Sequence, residues 1–444
     1  MSALGVSALS AAFKAGADDP VQALARARES ARRGKDDKAI LWNIDGAETE
    51  AEASRARWKS GAPLSPIDGV PLVVKDCIDV AGYPTTNGTK FLMDKVPKDA
   101  ALVARLRAAG AVIFAKTNMH EFGIQPTGVN PHHGTARNPW DGERIPGGSS
   151  SGSAVAVASG IAPAAIGTDA GGSVRIPAAL NGLVGLKPTF GAVPTEGVAA
   201  LTRDLDHAGP IAWTVEDATL LFEALAQVKI DRALAPGKLA LLTDFFEGAE
   251  PFVIDTVRNA ASDAFGGLPE VRTPLCAWAT AVEFVIVGTD ASALMAGLLK
   301  QHAKDLGWDA RTILQLGGGL GQRDRDKADR LRAGMRRELD SLLETHDLLI
   351  GPATGKVAPK LHPTSRRSGE LDTTELSRLA AVTFPANLTG HPSITVPCVP
   401  KDSSALPVGL QLIGRHGDEA RVLAAARAIE AKRGLRHPPR WWGL

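Results

Sequence analysis

Apolar positions along this chain follow two spacings. Short unbroken runs recur at Val70–Val74, at AVIFA (111–115), in KLALLTD (238–244) and in DLLIGPA (347–353), the length and composition of strands covered on both faces. Between them the spacing turns helical. DAALVARLRAAG (99–110) predicts a helix ended by Gly110 that steps directly into the strand AVIFAKTN. TVEDATLLFEALA (214–226) predicts a helix opened by Thr214, three residues before Asp217, close to a capping box. QRDRDKADRLRAGMRRELDSLLET (322–345) predicts a long charged helix that delivers the chain to DLLIGPA. Near the N-terminus, Pro20 behind Asp18 and Asp19 marks another helix start, and the Ala, Leu and Arg spacing after it is amphipathic. Strand and helix in alternation are α/β patterning, and no internal repeat is visible.

Three further stretches have a distinct character. SAVAVASGIAPAAIG (153–167) is apolar but broken by Gly160 and Pro163 and too short to span a bilayer, so it reads as a buried helix leading into a strand. LGGGLG (316–321) reads as a flexible turn near the substrate region, and KLHPTSRRSGELDTTE, between 360 and 376, as a polar surface loop.

Candidate chemistry concentrates in residues 147–187, GGSSSGSAVAVASGIAPAAIGTDAGGSVRIPAALNGLVGLK. Ser149 and Ser173 each stand beside glycines, which let the backbone turn tightly and expose its amides to a developing oxyanion. A serine hydroxyl needs a partner to take its proton, and Lys75, directly after the Val70–Val74 run, is the candidate. A buried strand carries that amine into a low-dielectric site, where desolvation lowers its pKa. The other reading keeps Lys75 as a strand-end lysine paired with Asp76 or Asp79. GSSSG (148–152) also fits the G-x-S-x-G elbow through Ser150, but the preceding RNPWDGERIPGG is loop-forming, not the strand an elbow requires. No G-x-x-x-x-G-K-[ST] phosphate loop occurs. His132 and His133 are adjacent, and there is no H-E-x-x-H or paired C-x-x-C, so no metal and no cofactor are expected. His120 and His391 read as loop hydrogen-bonders.

Four ordered segments carry a resemblance. GVPLVVKDCIDV (69–80), AGAVIFAKTNMHEF (109–122), residues 147–189, and the C-terminal pair FPANLTGHPSITVPCV (384–399) and PVGLQLIGRHGDEARVL (407–423) resemble the amidase signature family of serine hydrolases. The resemblance implies a single α/β/α sandwich with a large mixed central sheet over residues 1–444, with a signature core at about 65–200 and a substrate-pocket region at about 245–375. It implies a Ser-cis-Ser-Lys triad, in which Ser173 is the nucleophile, Ser149 the bridging serine with a cis peptide bond before it, and Lys75 the base. Ala170, Gly171 and Gly172, with the Ser173 amide, match the oxyanion loop, and Thr168 is expected on the pocket floor. Asp169 and Arg175 are expected to form a buried pair that fixes this loop, with a substrate carboxylate as the other partner open to Arg175; Lys116 and Lys187 are expected to hold loops. Trp278, Phe284, Leu294 and Met295 are candidates for an apolar substrate wall or for ordinary core.

The implied activity is hydrolysis of small-molecule amides, with anilides, esters and carbamates as further substrates. One branch of the family transfers glutamine-derived ammonia to misacylated tRNA within a multi-subunit complex. The stretch between LDHAGP and the strand at 347 looks shorter and different from that branch, so a standalone amidase is favoured over an amidotransferase A-type subunit or a non-catalytic binding subunit.

Composition adds bounds. With 444 residues, a net charge of +1, 44% hydrophobic and 22% charged residues, nothing points to a nucleic-acid or membrane partner, and a monomer or homodimer is expected. Cys77, Cys276 and Cys398 are odd in number and scattered, which speaks against a disulfide framework. The N-terminal stretch lacks a basic segment before an apolar core, so a cytoplasmic enzyme is expected.

Overall fold

The computed structural model describes residues 5–362 and 378–443, so most of the loop expected over 360–376 lies outside the described residues. The apolar runs become strands of one mixed sheet. In chain order these are β1 (Ile40–Asn43), β2 (Pro71–Lys75), β3 (Val112–Thr117), β4 (Ala164–Asp169), β5 (Val184–Lys187), β6 (His207–Ala212), β7 (Leu239–Leu242), β8 (Glu270–Val271), β9 (Leu348–Pro352), β10 (Ser393–Pro397) and β11 (Gly409–Gly414). They lie side by side as β1-β3-β2-β4-β6-β5-β10-β11-β9-β7-β8. β2 runs parallel to both β3 and β4, whereas β4 and β6 pair antiparallel. This is the large mixed sheet that the resemblance implies, built from strands the patterning predicts.

Every residue of β2 is buried, and the pleat distributes its side chains to two apolar layers. Leu72 and Val74 join Ile113 and Ile166 on one side; Val73 joins Phe114 and Ala165 on the other. The helices Val215–Ala226 and Glu419–Arg433 cover the first layer, and the helices Pro20–Arg33 and Ser151–Ala158 the second. Caps fall where the sequence places them: Asp19 accepts from the Val21 amide at 2.9 Å, and Thr214 from the Asp217 amide at 3.0 Å. Ser151–Ala158 is buried along its whole length, a position open to a helix of small residues because they let backbones approach closely.

One finding departs from the sequence reading. LGGGLG is not simply a turn, because its first residues end the helix Trp308–Gly318. There Gly317 packs on the helix Ala279–Leu294, and a Cβ at Gly317 would overlap the Gly288 carbonyl oxygen. The stretch Pro274–Leu294 is long and apolar enough to cross a membrane by composition, yet half of it is buried inside the protein.

At the end of β4 the expected Asp169–Arg175 pair is in place and completely buried, with Arg175 Nε 3.1 Å from Asp169 Oδ2. Asp169 also accepts the amides of Gly172 (2.7 Å) and Val174 (3.1 Å) and the Asn387 side chain (2.9 Å). Arg175 continues to the Thr383 carbonyl (3.0 Å) and to Gln411 Oε1 (2.7 Å). Its donors are thus spent inside the protein, which removes the alternative of a substrate carboxylate. The Arg175 guanidinium holds the Asp169 carboxyl far below the usual carboxylate range despite the opposing effect of burial.

Removing one partner strands a buried charge. Arg175→Met is expected to destabilise the protein by about 3–5 kcal/mol, read as loss of soluble protein or a lowered urea midpoint; unchanged stability would show that the pair does not hold the fold. Gly317→Val is expected to cost about 1–3 kcal/mol by forcing two helices apart, read as a lower melting temperature.

Candidate active site

β2 ends in Lys75, whose side chain is fully buried. The reading that paired it with Asp76 or Asp79 does not hold. Asp76 lies 3.3 Å from Lys116 Nζ, and Asp79 accepts the Thr85 hydroxyl at 2.6 Å. Lys75 Nζ instead donates to Ser149 Oγ at 2.7 Å and to Thr168 Oγ1 at 2.8 Å. Burial pushes its pKa down, and the negative charges available at Cys77, Asp169 and Asp206 offset this only in part. An amine so placed reaches its neutral, proton-accepting form below the ordinary lysine range.

Ser149 enters the site through a cis Gly148–Ser149 peptide bond. Gly148 is needed for closeness, since a Cβ there would lie 2.5 Å from the Gly128 nitrogen. The Ser149 carbonyl accepts the His120 amide (3.0 Å), and the Ser150 amide donates to the Ser173 carbonyl (3.3 Å), tying the two serine loops together. The Ser150 hydroxyl is buried and donates to the Thr168 carbonyl at 3.2 Å, so it is turned into the scaffold. Ser173 is 8% exposed and shares a small cavity with Ser149, Thr168, Cys77 and Asp206. Asp206 is a member that the sequence reading missed; it accepts the Leu201 amide at 2.8 Å and burial raises its pKa to about 6.

The loop leading to Ser173 requires one correction. Gly172, expected among the oxyanion donors, already gives its N–H to Asp169 Oδ1 at 2.7 Å. Gly172 has φ of 122°, and a Cβ there would overlap Thr383 Oγ1, so glycine shapes the turn without presenting its amide. The amides of Ala170, Gly171 and Ser173 have no protein acceptor among the described residues.

Ser173 and Gly171 also line a cavity of about 660 Å³, walled by Trp278, Phe284, Val287, Ile313 and Phe384. Trp278 and Phe284 therefore meet the expectation of a wall, each with an exposed ring (58% and 42%). Leu294 does not line the cavity, and Met295, at the junction of the helices Ala279–Leu294 and Ala296–His302, is buried in core with Phe122 and Ala170. Among the described lining residues there is no Lys, Arg or His, and one ionisable group, Glu283. Among the described residues its Oε2 has no hydrogen-bond partner, and Oε1 would lie 2.7 Å from a Cβ on Gly171. Burial, reinforced by the charge of Asp169, pushes the Glu283 carboxyl well above the usual range. A lone acid in the apolar stretch TAVEFVIV was the available signal for it.

The remaining lysines hold loops as expected: Lys116 Nζ donates to the Pro84 carbonyl (2.6 Å) and Lys187 Nζ to the Pro188 carbonyl (2.9 Å). His132 and His133 turn apart, to Glu121 (2.8 Å) and to the Thr89 carbonyl (2.8 Å).

Known proteins resemble this chain along most of its length. The Amidase family model matches residues 23–236 and 290–423. A fatty acid amide hydrolase of Medicago truncatula is 36% identical over 422 residues, covering 88% of this chain and 69% of its own. The A-type subunit of the glutamyl-tRNA(Gln) amidotransferase from Anaeromyxobacter sp. (strain K) is 35% identical, covering 93% and 92%. A crystal structure of an amidase superposes with a TM-score of 0.89 at 36% identity over 97% of this chain and 100% of that one. A bacterial aryl acylamidase shares the fold, with a TM-score of 0.85 at 24% identity over 98% and 96%. The chain belongs to the amidase signature family and is a hydrolase of amide C–N bonds.

Proposed function

We propose that Ser173 is the nucleophile of a standalone amidase acting on small, uncharged amides with an apolar acyl or aryl part, through a relay of Ser149 and Lys75. The carrying observation is the 2.7 Å contact between a buried, desolvated lysine and a serine that shares a cavity with Ser173. Ser173 Oγ attacks the carbonyl carbon as its proton passes to Ser149 Oγ, whose own proton passes to Lys75 Nζ. Charge develops on the carbonyl oxygen, opposite the amides of Gly171 and Ser173, with that of Ala170 beside them. Collapse expels the amine, which takes a proton back by the same route, and leaves an acyl group on Ser173. Water, deprotonated by the relay, then releases the acid. Thr168 anchors the Lys75 amine.

The lining of the large cavity supports the substrate class. Without a basic side chain among its described lining residues, the cavity offers no cationic partner to a carboxylate. The kinship to an amidotransferase component makes ammonia release from glutamine the second reading, and the same lining disfavours it. Aryl carbamates present the same carbonyl with a nitrogen leaving group and fit an apolar cavity of this size.

Ser173→Ala is expected to abolish labelling by a fluorophosphonate, and Lys75→Ala to lower anilide turnover by about 10²–10⁴-fold. Turnover should rise from acid to mildly alkaline pH as the Lys75 amine loses its proton, since burial lowers its pKa and only the neutral form accepts. A flat profile between about pH 5 and 9 removes lysine as the base. Glutamine is expected to remain unhydrolysed while a chromogenic anilide turns over; the opposite result establishes the amidotransferase reading. An aryl carbamate is expected to release its aryl amine, and no release from a panel of them ends that extension. Glu283→Gln keeps a neutral hydrogen-bond donor and is expected to retain most activity, whereas Glu283→Leu shifts KM across the panel of neutral amides; a loss in the Gln variant as large as that in the Leu variant marks the charged carboxylate as the working form.

A further inference from the structure

Away from the catalytic cavity, three side chains from three separate segments converge: Asp340 from the helix Gln322–Thr345, His391 from the turn before β10, and His416 from the loop after β11. His391 Nε2 lies 3.1 Å and His416 Nδ1 3.8 Å from the same oxygen, Asp340 Oδ1. All three ligand atoms fall within 4.8 Å of one another.

Hydrogen bonds on the far side of each ring decide where its proton sits. His416 Nε2 is 3.0 Å from the Thr389 carbonyl, which can only accept, so Nε2 carries the hydrogen and Nδ1 of the neutral ring offers a lone pair. The Thr389 hydroxyl donates to the Pro385 carbonyl at 2.7 Å. Its oxygen is therefore the acceptor for His391 Nδ1 at 2.8 Å, and His391 Nε2 offers a lone pair as well. Arg336 approaches the other carboxylate oxygen, Asp340 Oδ2, at 3.8 Å. Three acceptors thus meet at one point with no hydrogen of their own to share, while each ring is oriented from behind by an N–H contact of the kind that supports metal-bound histidines.

We propose that Asp340, His391 and His416 form a divalent transition-metal site, suited above all to Zn²⁺, with three protein ligands and solvent completing the shell. Two imidazoles and a carboxylate are nitrogen and oxygen donors of the type zinc takes. Tetrahedral zinc with bonds of about 2.0–2.2 Å sets its ligand atoms about 3.3–3.5 Å apart, between the two separations found here. Asp340 stands half exposed and His391 is fully buried, so the ion enters from the solvent side and rests on the protein. Bound there, it clamps the helix Gln322–Thr345 to the loops that flank β10 and β11. Short-motif scanning could not reveal the site, because its ligands come from distant parts of the chain.

The test uses full-length protein stripped with a chelator and titrated calorimetrically with ZnCl₂, with MgCl₂ as comparison. One Zn²⁺ per chain is expected, with a raised melting temperature and no response to Mg²⁺. Asp340→Asn and His416→Gln change exposed or half-exposed side chains, so both variants should fold and keep metal-free anilide turnover. Each is expected to weaken zinc binding by about 10- to 100-fold or more. Binding that is absent from the parent protein, or equal in parent and variants, overturns the proposal. So would ¹⁵N spectra showing a His391 imidazolium that zinc leaves unchanged, since a proton would then fill the place assigned to the ion. These readouts are independent of the catalytic assignment.

Discussion

The buried Asp169–Arg175 pair is the constraint on which the arrangement of this protein turns. Asp169 closes β4, and its carboxylate collects amides from the next turn, so that the chain reverses with Ser173 at its crest. Arg175 opens the following helix and reaches the Thr383 carbonyl and Gln411, binding the serine turn to segments from the other end of the sequence. A buried ion pair gains little over apolar packing in net stability. What it supplies here is direction, because a planar guanidinium and a two-oxygen carboxylate fix several backbone groups at once.

A second constraint separates three lysines that look alike in sequence. Lys75, Lys116 and Lys187 are all fully buried at strand ends or next to them. Lys187 is held by a main-chain carbonyl, and Lys116 by a main-chain carbonyl, the Thr85 hydroxyl and the Asp76 carboxylate, which together fix its position. Lys75 meets two hydroxyls instead, and hydroxyl groups can pass hydrogens in either direction. Burial supplies the shift in basicity; the identity of the neighbours decides whether that shift has a use.

Much of this was legible in the chain. Apolar runs at 70–74, 111–115, 238–244 and 347–353 became strands, and the capped helices begin where Asp19 and Thr214 place them. Those signals are local, set by spacing and by one side chain reaching its own backbone. What escaped depends on distant contact. Asp206 and Glu283 acquire meaning only when burial surrounds them, Met295 reaches core at the junction of two helices, and the Gly172 amide is taken by a residue whose orientation the far end of the chain holds. LGGGLG has the composition of a loose turn, yet Gly317 serves a close crossing of two helices.

Trp278, Glu283 and Phe284 all fall inside residues 237–289, the interval the family match passes over, whereas Lys75, Ser149 and Ser173 lie in matched sequence. Ile313 and Phe384 of the same cavity lie in matched sequence, so the cavity wall is drawn from both kinds of segment. Drift in the unmatched interval therefore reshapes one side of the cavity, at Trp278, Glu283 and Phe284, while the opposite side, carried by matched residues, keeps its shape.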